Sequence, residues 1–231
     1  MKQNFRKKQI KEFFKGFLPL KKILVICILF YILGIVFAFV NSDKAHLIFP
    51  GGMFLDNLEA KIQVPAVITF DYFLDQFIFY LGAVSFAIFL KNLVLALLSI
   101  FSGVAIIPVI LVGFFMKMGA ITYFAVENMG FKGILIIFGS LHVYFEALAA
   151  LLSIETFFKF YISLINSIRN KDINIFKNKV LNEIMPLIIR ITLLLAIAAI
   201  MEVFWSTWWV YILTHPYVSW YNFYFGAYSI L

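Results

Sequence analysis

The stretch Gly133–Phe158, GILIIFGSLHVYFEALAALLSIETFF, is long enough to cross a bilayer, yet it carries His142 and Glu146 well inside it. Crossing about 30 Å of hydrocarbon takes roughly 20 apolar residues as a helix. An ionisable group at mid-span costs on the order of 3 kcal/mol or more, so it is rarely there without a use. His142 and Glu146 are four residues apart, which puts both on one face of a helix. Ala147, Ala149 and Ala150 follow at once, and small residues let another helix come close. The pattern predicts the buried centre of a helical membrane protein.

Composition agrees. Of 231 residues, 64% are hydrophobic and 13% charged, where a soluble domain carries about 25% charged residues. The chain therefore reads as an all-α, polytopic membrane bundle. It divides into a basic amphipathic segment, residues 1–22, and a single transmembrane domain, residues 23–231. The net charge of +7 is uneven, with eight of 19 basic residues in the first 22 positions. Such an arrangement suits the anionic inner leaflet of a cell membrane, and no nucleic-acid-binding motif accompanies it. Cys27 is the only cysteine and sits in an apolar run, which excludes an intrachain disulfide and predicts a buried thiol. The basic-then-apolar start resembles a signal peptide. Its apolar run is long and no small-x-small cleavage site follows, so it reads as a retained helix.

Taken in order, Ile10, Phe13, Phe14, Phe17 and Leu18 form a helical stripe beside lysines, which predicts an amphipathic helix on the cytoplasmic surface. Crossings follow at about 23–40, 74–101, 105–126, 132–158 and 187–213. The second and third divide at Ser102-Gly103; a break at Lys91-Asn92 is the alternative. Between the first two crossings, residues 41–73 hold four acids against two lysines, with a short helix near 53–62. Residues 159–186 hold five basic residues against two acids. There Ile173, Phe176, Val180, Leu181 and Ile184 mark a second surface helix, which Pro186 separates from the last crossing. The positive-inside rule accepts five crossings with the N-terminus inside.

Lys91, Lys117, Glu146, Arg190 and Glu202, with His142, fall inside the predicted spans; Arg190, near the cytoplasmic end of its helix, can snorkel and needs no special role. Counting from helix ends puts Lys117, Glu146 and Glu202 near one depth, with Lys91 deeper toward the cytoplasmic side. Two readings stay open. In one, a lysine pairs with Glu146 or Glu202 and the charges fix how the helices dock. In the other, Glu146, His142, Glu202 and Lys91 line a polar path that carries a proton or binds a ligand. Enzymatic readings fare worse. Three scattered histidines do not make a zinc site, no HExxH, P-loop or dinucleotide motif is present, and His142 cannot face Ser140 at i+2 on a helix. No catalytic residue, metal or cofactor is assigned. Small residues at packing spacing, Ser99, Gly103, Ala149 and Ser153, predict helix contacts within the chain or in a homodimer.

Asn92, Ser102-Gly103, Gly113, His142-xxx-Glu146-xx-Ala149 and Ala198-Ala199-xx-Glu202 occur in this order over about residues 80–210. In this the chain resembles the stage II sporulation protein M family, as a divergent member. Leu141-His142-Val143 stands where the family usually has Pro-His-Gly, and Val112-Gly113 where it often has Asn-Gly. The resemblance implies a multi-pass, non-enzymatic scaffold or subunit of an envelope complex, with a membrane-protein partner. It also adds Asn92 and Gly113 to the residues of interest.

Overall fold

The computed structural model describes residues 16–42, 70–103, 106–215 and 219–228. Most of the amphipathic segment, the acidic loop with its short helix, and the extreme C-terminus lie outside the described residues. Those described form seven helical rods and no strand. They are α1 (Lys21–Val40), α2 (Phe70–Phe101), α3 (Ile106–Met129), α4 (Phe131–Gly139), α5 (Leu141–Asn170), α6 (Ile173–Thr214) and α7 (Trp220–Tyr228). Four helices are long and apolar enough to cross a membrane: α1, Leu81–Phe101 within α2, α5 and α6. The chain is an all-α membrane bundle.

α5 is the central post. Every residue from Ala149 to Phe157 is buried. On one side α2 and α6 pack on it through Ala96, Ile100, Ala149, Leu152, Ile191 and Leu195. On the other, α1 and α3 meet it through Ile23, Cys27, Leu111, Phe115 and Ile154. Cys27 is buried and free, inside this second cluster. α3 packs chiefly on α1, and α2 chiefly on α5 and α6. The α2–α3 hairpin thus straddles a seam between two helix groups.

The α1–α3 contact is backbone to backbone. A Cβ on Gly34 would strike the Met116 carbonyl, and one on Gly119 the Tyr31 carbonyl. Ala38 and Ala120, both fully buried, continue this line of small residues. Such close approach is how helices gain van der Waals contact in hydrocarbon, where the solvent gives no apolar drive. Among the expected packing residues, Ser99, Ala149 and Ser153 are buried. Gly113 is not at a close contact, with nothing within 4 Å of an added Cβ. Gly103 serves the turn instead, with φ +71° in the left-handed region that glycine tolerates.

Three features differ from the sequence reading. The crossing expected at 132–158 is broken: α4 ends at Gly139, and α5 starts at Leu141 and runs to Asn170. The break falls at Ser140, whose backbone leaves the helix at φ −77°, ψ 76° and whose hydroxyl donates to the Ile136 carbonyl, a side-chain bond of the kind that competes with the helix ladder. The predicted surface helix at 173–184 is not a separate element. It is the first leg of α6, which passes Pro186 without stopping. A π turn, Val180–Ile184, precedes that proline. It rearranges the hydrogen-bond ladder just where Pro186 supplies no N–H. Finally, residues 16–20 are a turn and non-helical chain, so no helix runs unbroken into α1. α2 is continuous through Lys91-Asn92.

Gly34→Val and Gly119→Val are expected to wedge α1 from α3 and to cost roughly 1–3 kcal/mol each. Thermal unfolding in detergent should fall for both, while Gly113→Ala should leave it unchanged.

Candidate functional site

At one end of the bundle the helices stop or turn at a common level. The Leu20 N–H, where α1 begins, donates to the Glu155 carboxylate of α5 at 3.2 Å. Phe101 at the end of α2 packs on Phe160, with ring centroids 5.1 Å apart. Arg190 of α6 lies over the Phe17 ring at 5.9 Å. Counting along each helix from Phe101, Ile106, Glu155 and Arg190 at about 1.5 Å per residue, Lys91, Lys117, Glu146 and Glu202 all stand roughly 14–18 Å deep. That is the middle of a hydrocarbon layer about 30 Å thick. Lys91 shares this depth, because the α2–α3 turn sets it opposite Lys117.

At that depth four helices contribute polar side chains. Asn92 on α2 donates its amide to Glu146 Oε1 on α5 at 2.7 Å. His142, one turn toward α4, has its Nδ1 2.7 Å from the Ser206 hydroxyl on α6. Glu202 lies on α6 one turn before Ser206, inside a second π turn, Met201–Ser206. Its carbonyl accepts from the Thr207 hydroxyl at 2.9 Å. The charges of Lys117 and Glu146, of Lys91 and Glu202, and of the two carboxylates lie within electrostatic reach of one another. The expected contact ion pairs are absent. Among the described residues, the pairs formed are Lys159–Glu155 and Lys179–Glu183, both outside this cluster. A lysine side chain is long and these two leave the bundle surface exposed, whereas Asn92 already faces Glu146 across the α2–α5 contact. The cluster therefore sets two carboxylates against two ammonium groups across a gap.

Beside Glu146, where α2, α3, α5 and α6 meet, lies a cavity of about 70 Å³. Asn92, Glu146 and Ser153 give its wall polar points, while Leu95, Leu111, Phe114 and Leu195 make the rest apolar. At about 10–15 Å³ of such space per molecule, it has room for several waters.

The broken helix above the cluster is closed by tryptophans. Trp205 Nε1 donates to the Gly139 carbonyl and Trp209 Nε1 to the Leu135 carbonyl, both at 2.8 Å. The two indoles stack with their planes 7° apart. Carbonyls freed by a break need partners inside the protein when no water is at hand. The same indoles fasten α4 to the outer end of α6.

Two groups escaped the sequence reading. Glu155 is buried, bonds Lys159 at 2.7 Å, and receives the N–H at the start of α1. A carboxylate there also meets the positive end of the α1 dipole. Its only sequence trace was the i,i+4 Glu155/Lys159 spacing, which reads as an ordinary surface pair. Ser206 was missed as well, because a lone serine in an aromatic helix carries no signal until His142 is seen opposite it. His215 packs on Phe223, away from the cluster. Among the described residues, no group of three or more His, Cys, Asp or Glu is placed to hold a metal. Comparison with protein-family models, with curated proteins and with solved structures finds no match.

Asn92→Leu removes the amide that serves a half-buried carboxylate, and a loss of about 1–3 kcal/mol is expected. Adding Glu146→Leu to that background should restore part of the unfolding temperature. A single variant as stable as the parent would show that this bond does not hold α2 on α5.

Proposed function

We propose that this membrane protein is a non-enzymatic subunit or scaffold of an envelope complex in the cell membrane. The proposed arrangement has five crossings, with α1, α2, α3, α5 and α6 spanning and the N-terminus on the cytoplasmic side. α3 has 24 residues, about 36 Å of helix, which is enough to span. The basic N-terminus and the α5–α6 turn would then face the anionic inner leaflet, and the acidic 41–73 loop would lie outside. The motif order that resembles stage II sporulation protein M supports this reading. The observation that carries it is that the mid-membrane polar groups bond between helices: Glu146 with Asn92 and His142 with Ser206 join α5 to α2 and to α6. Groups used this way fix a bundle and leave its outer faces for a membrane-protein partner or a second copy.

The cavity beside Glu146 favours a second reading, a transporter or channel-like protein whose path includes Glu146, His142, Glu202 and Lys91. A helix broken one turn beyond the polar cluster, a π turn at Glu202 and a seam between two helix groups are features that transporters combine around a site.

Flux into proteoliposomes separates the two. The subunit reading expects no proton or sodium flux above that of empty vesicles. It also expects Glu146→Gln, which removes one charge of a balanced set, to lower the folded yield in detergent. Dose-dependent flux that Glu146→Gln abolishes at parental yield would establish the transport reading instead.

A further inference from the structure

We propose that the α5–α6 hairpin projects into water and docks an acidic amphipathic helix of a partner protein. α1 begins beside Glu155, and α2 ends beside Phe160. The α2–α3 turn at Gly103 faces the Tyr161 hydroxyl. Past that level, among the described residues, only α5 and α6 continue. α5 runs on from Ile162 to Asn170, about 14 Å, and the first leg of α6 from Ile173 to Ile184, about 18 Å. The hairpin is built to stand. Phe160 packs on Phe176 with centroids 5.4 Å apart, the Ser167 hydroxyl donates to the Asp172 carbonyl, and Asp172 caps the first leg of α6.

Its outer face is wrong for water alone. Ile162, Ile165, Ile168 and Ile173 are 56%, 61%, 69% and 73% exposed. Arg169, Lys171 and Lys177 are exposed around them, while Lys179 and Lys159 are neutralised by Glu183 and Glu155. Asp172 offsets one of these three, and an apolar stripe whose flanks stay net positive fits an amphipathic helix with carboxylates beside its apolar face.

Charge argues against the other occupants. Residues 1–15 carry six basic residues against one acid, so this chain's own start would set cation on cation. A second copy of the hairpin would do the same. At about 1.5 Å per residue, Ile165 and Ile168 stand roughly 15 and 20 Å past the Glu155 level, farther than the roughly 5–7 Å that headgroups add to each side of the hydrocarbon. The surface stands whether the mid-membrane cluster is structural or transporting.

The test uses the full chain in phosphatidylcholine nanodiscs. The probes are two synthetic helical peptides with the same leucine stripe, one flanked by glutamates and one by lysines, read by fluorescence anisotropy. The glutamate peptide is expected to bind at least tenfold more tightly, and to weaken as salt rises. Arg169→Glu with Lys177→Glu should remove that preference, and Ile165→Ser with Ile168→Ser should weaken binding about tenfold, both at parental unfolding temperature. Equal binding of the two peptides, or none, overturns the proposal. So does binding that appears only after residues 1–15 are deleted, which would assign the stripe to the chain itself. Concentration-dependent dimerisation that Ile165→Ser and Ile168→Ser abolish would assign it to a second copy. Quenching of a probe at the hairpin tip by labelled anionic lipid would assign it to the membrane. Each of these outcomes leaves the flux assay unaffected.

Discussion

A carboxylate in the middle of a bilayer has only protein to bond with, and the bundle is arranged around that fact. Glu146 receives the Asn92 amide, and the two helices that carry these residues are thereby held in one register. One turn along α5, His142 does the same with Ser206 of α6. Dispersion between apolar side chains in lipid has little directionality. Two short polar bonds select one rotation of α5 against its neighbours out of many that would pack about as well.

The same demand explains the irregular backbone. Where α4 gives way to α5, the Gly139 carbonyl has no helical partner and the Trp205 indole takes it, while the Trp209 indole adds a bond at the Leu135 carbonyl. Where α6 carries Glu202, a π turn widens the helix and the Thr207 hydroxyl takes the Glu202 carbonyl. Both irregularities lie close to the mid-membrane cluster. The rest of the bundle is regular, and α1 and α3 approach as closely as glycine permits at Gly34 and Gly119. A stiff α1–α3 pair on one side of α5 and a polar, irregular α2–α5–α6 group on the other meet at the cavity beside Glu146.

At the end of the bundle where α1 begins, the bonding is of another kind. Glu155 is shared between Lys159 and the start of α1, and Arg190 lies over Phe17. These contacts seat the start of the first helix against α5 and α6. They leave the α5–α6 hairpin standing clear of the other helices.

Apolar length and charge asymmetry along the chain were enough to predict a helical membrane bundle, the α1 and α2–α3 boundaries, and the common level of Glu146, Lys117 and Glu202 along it. These follow from local physics: hydrocarbon thickness sets helix length, and buried charge is costly wherever it occurs. The sequence could not say which partner Glu146 would take. That choice depends on helix rotation, and a rotation of one residue's worth would have exchanged Asn92 for Lys91. Nor did it show that Ser140 breaks a crossing while Pro186 does not. A serine ends a helix only when the freed carbonyl finds a donor elsewhere, here Trp205 from a distant part of the chain. A proline is passed when a π turn can be accommodated by the packing around it. Long-range partners settled both, and one-dimensional spacing carries no record of them.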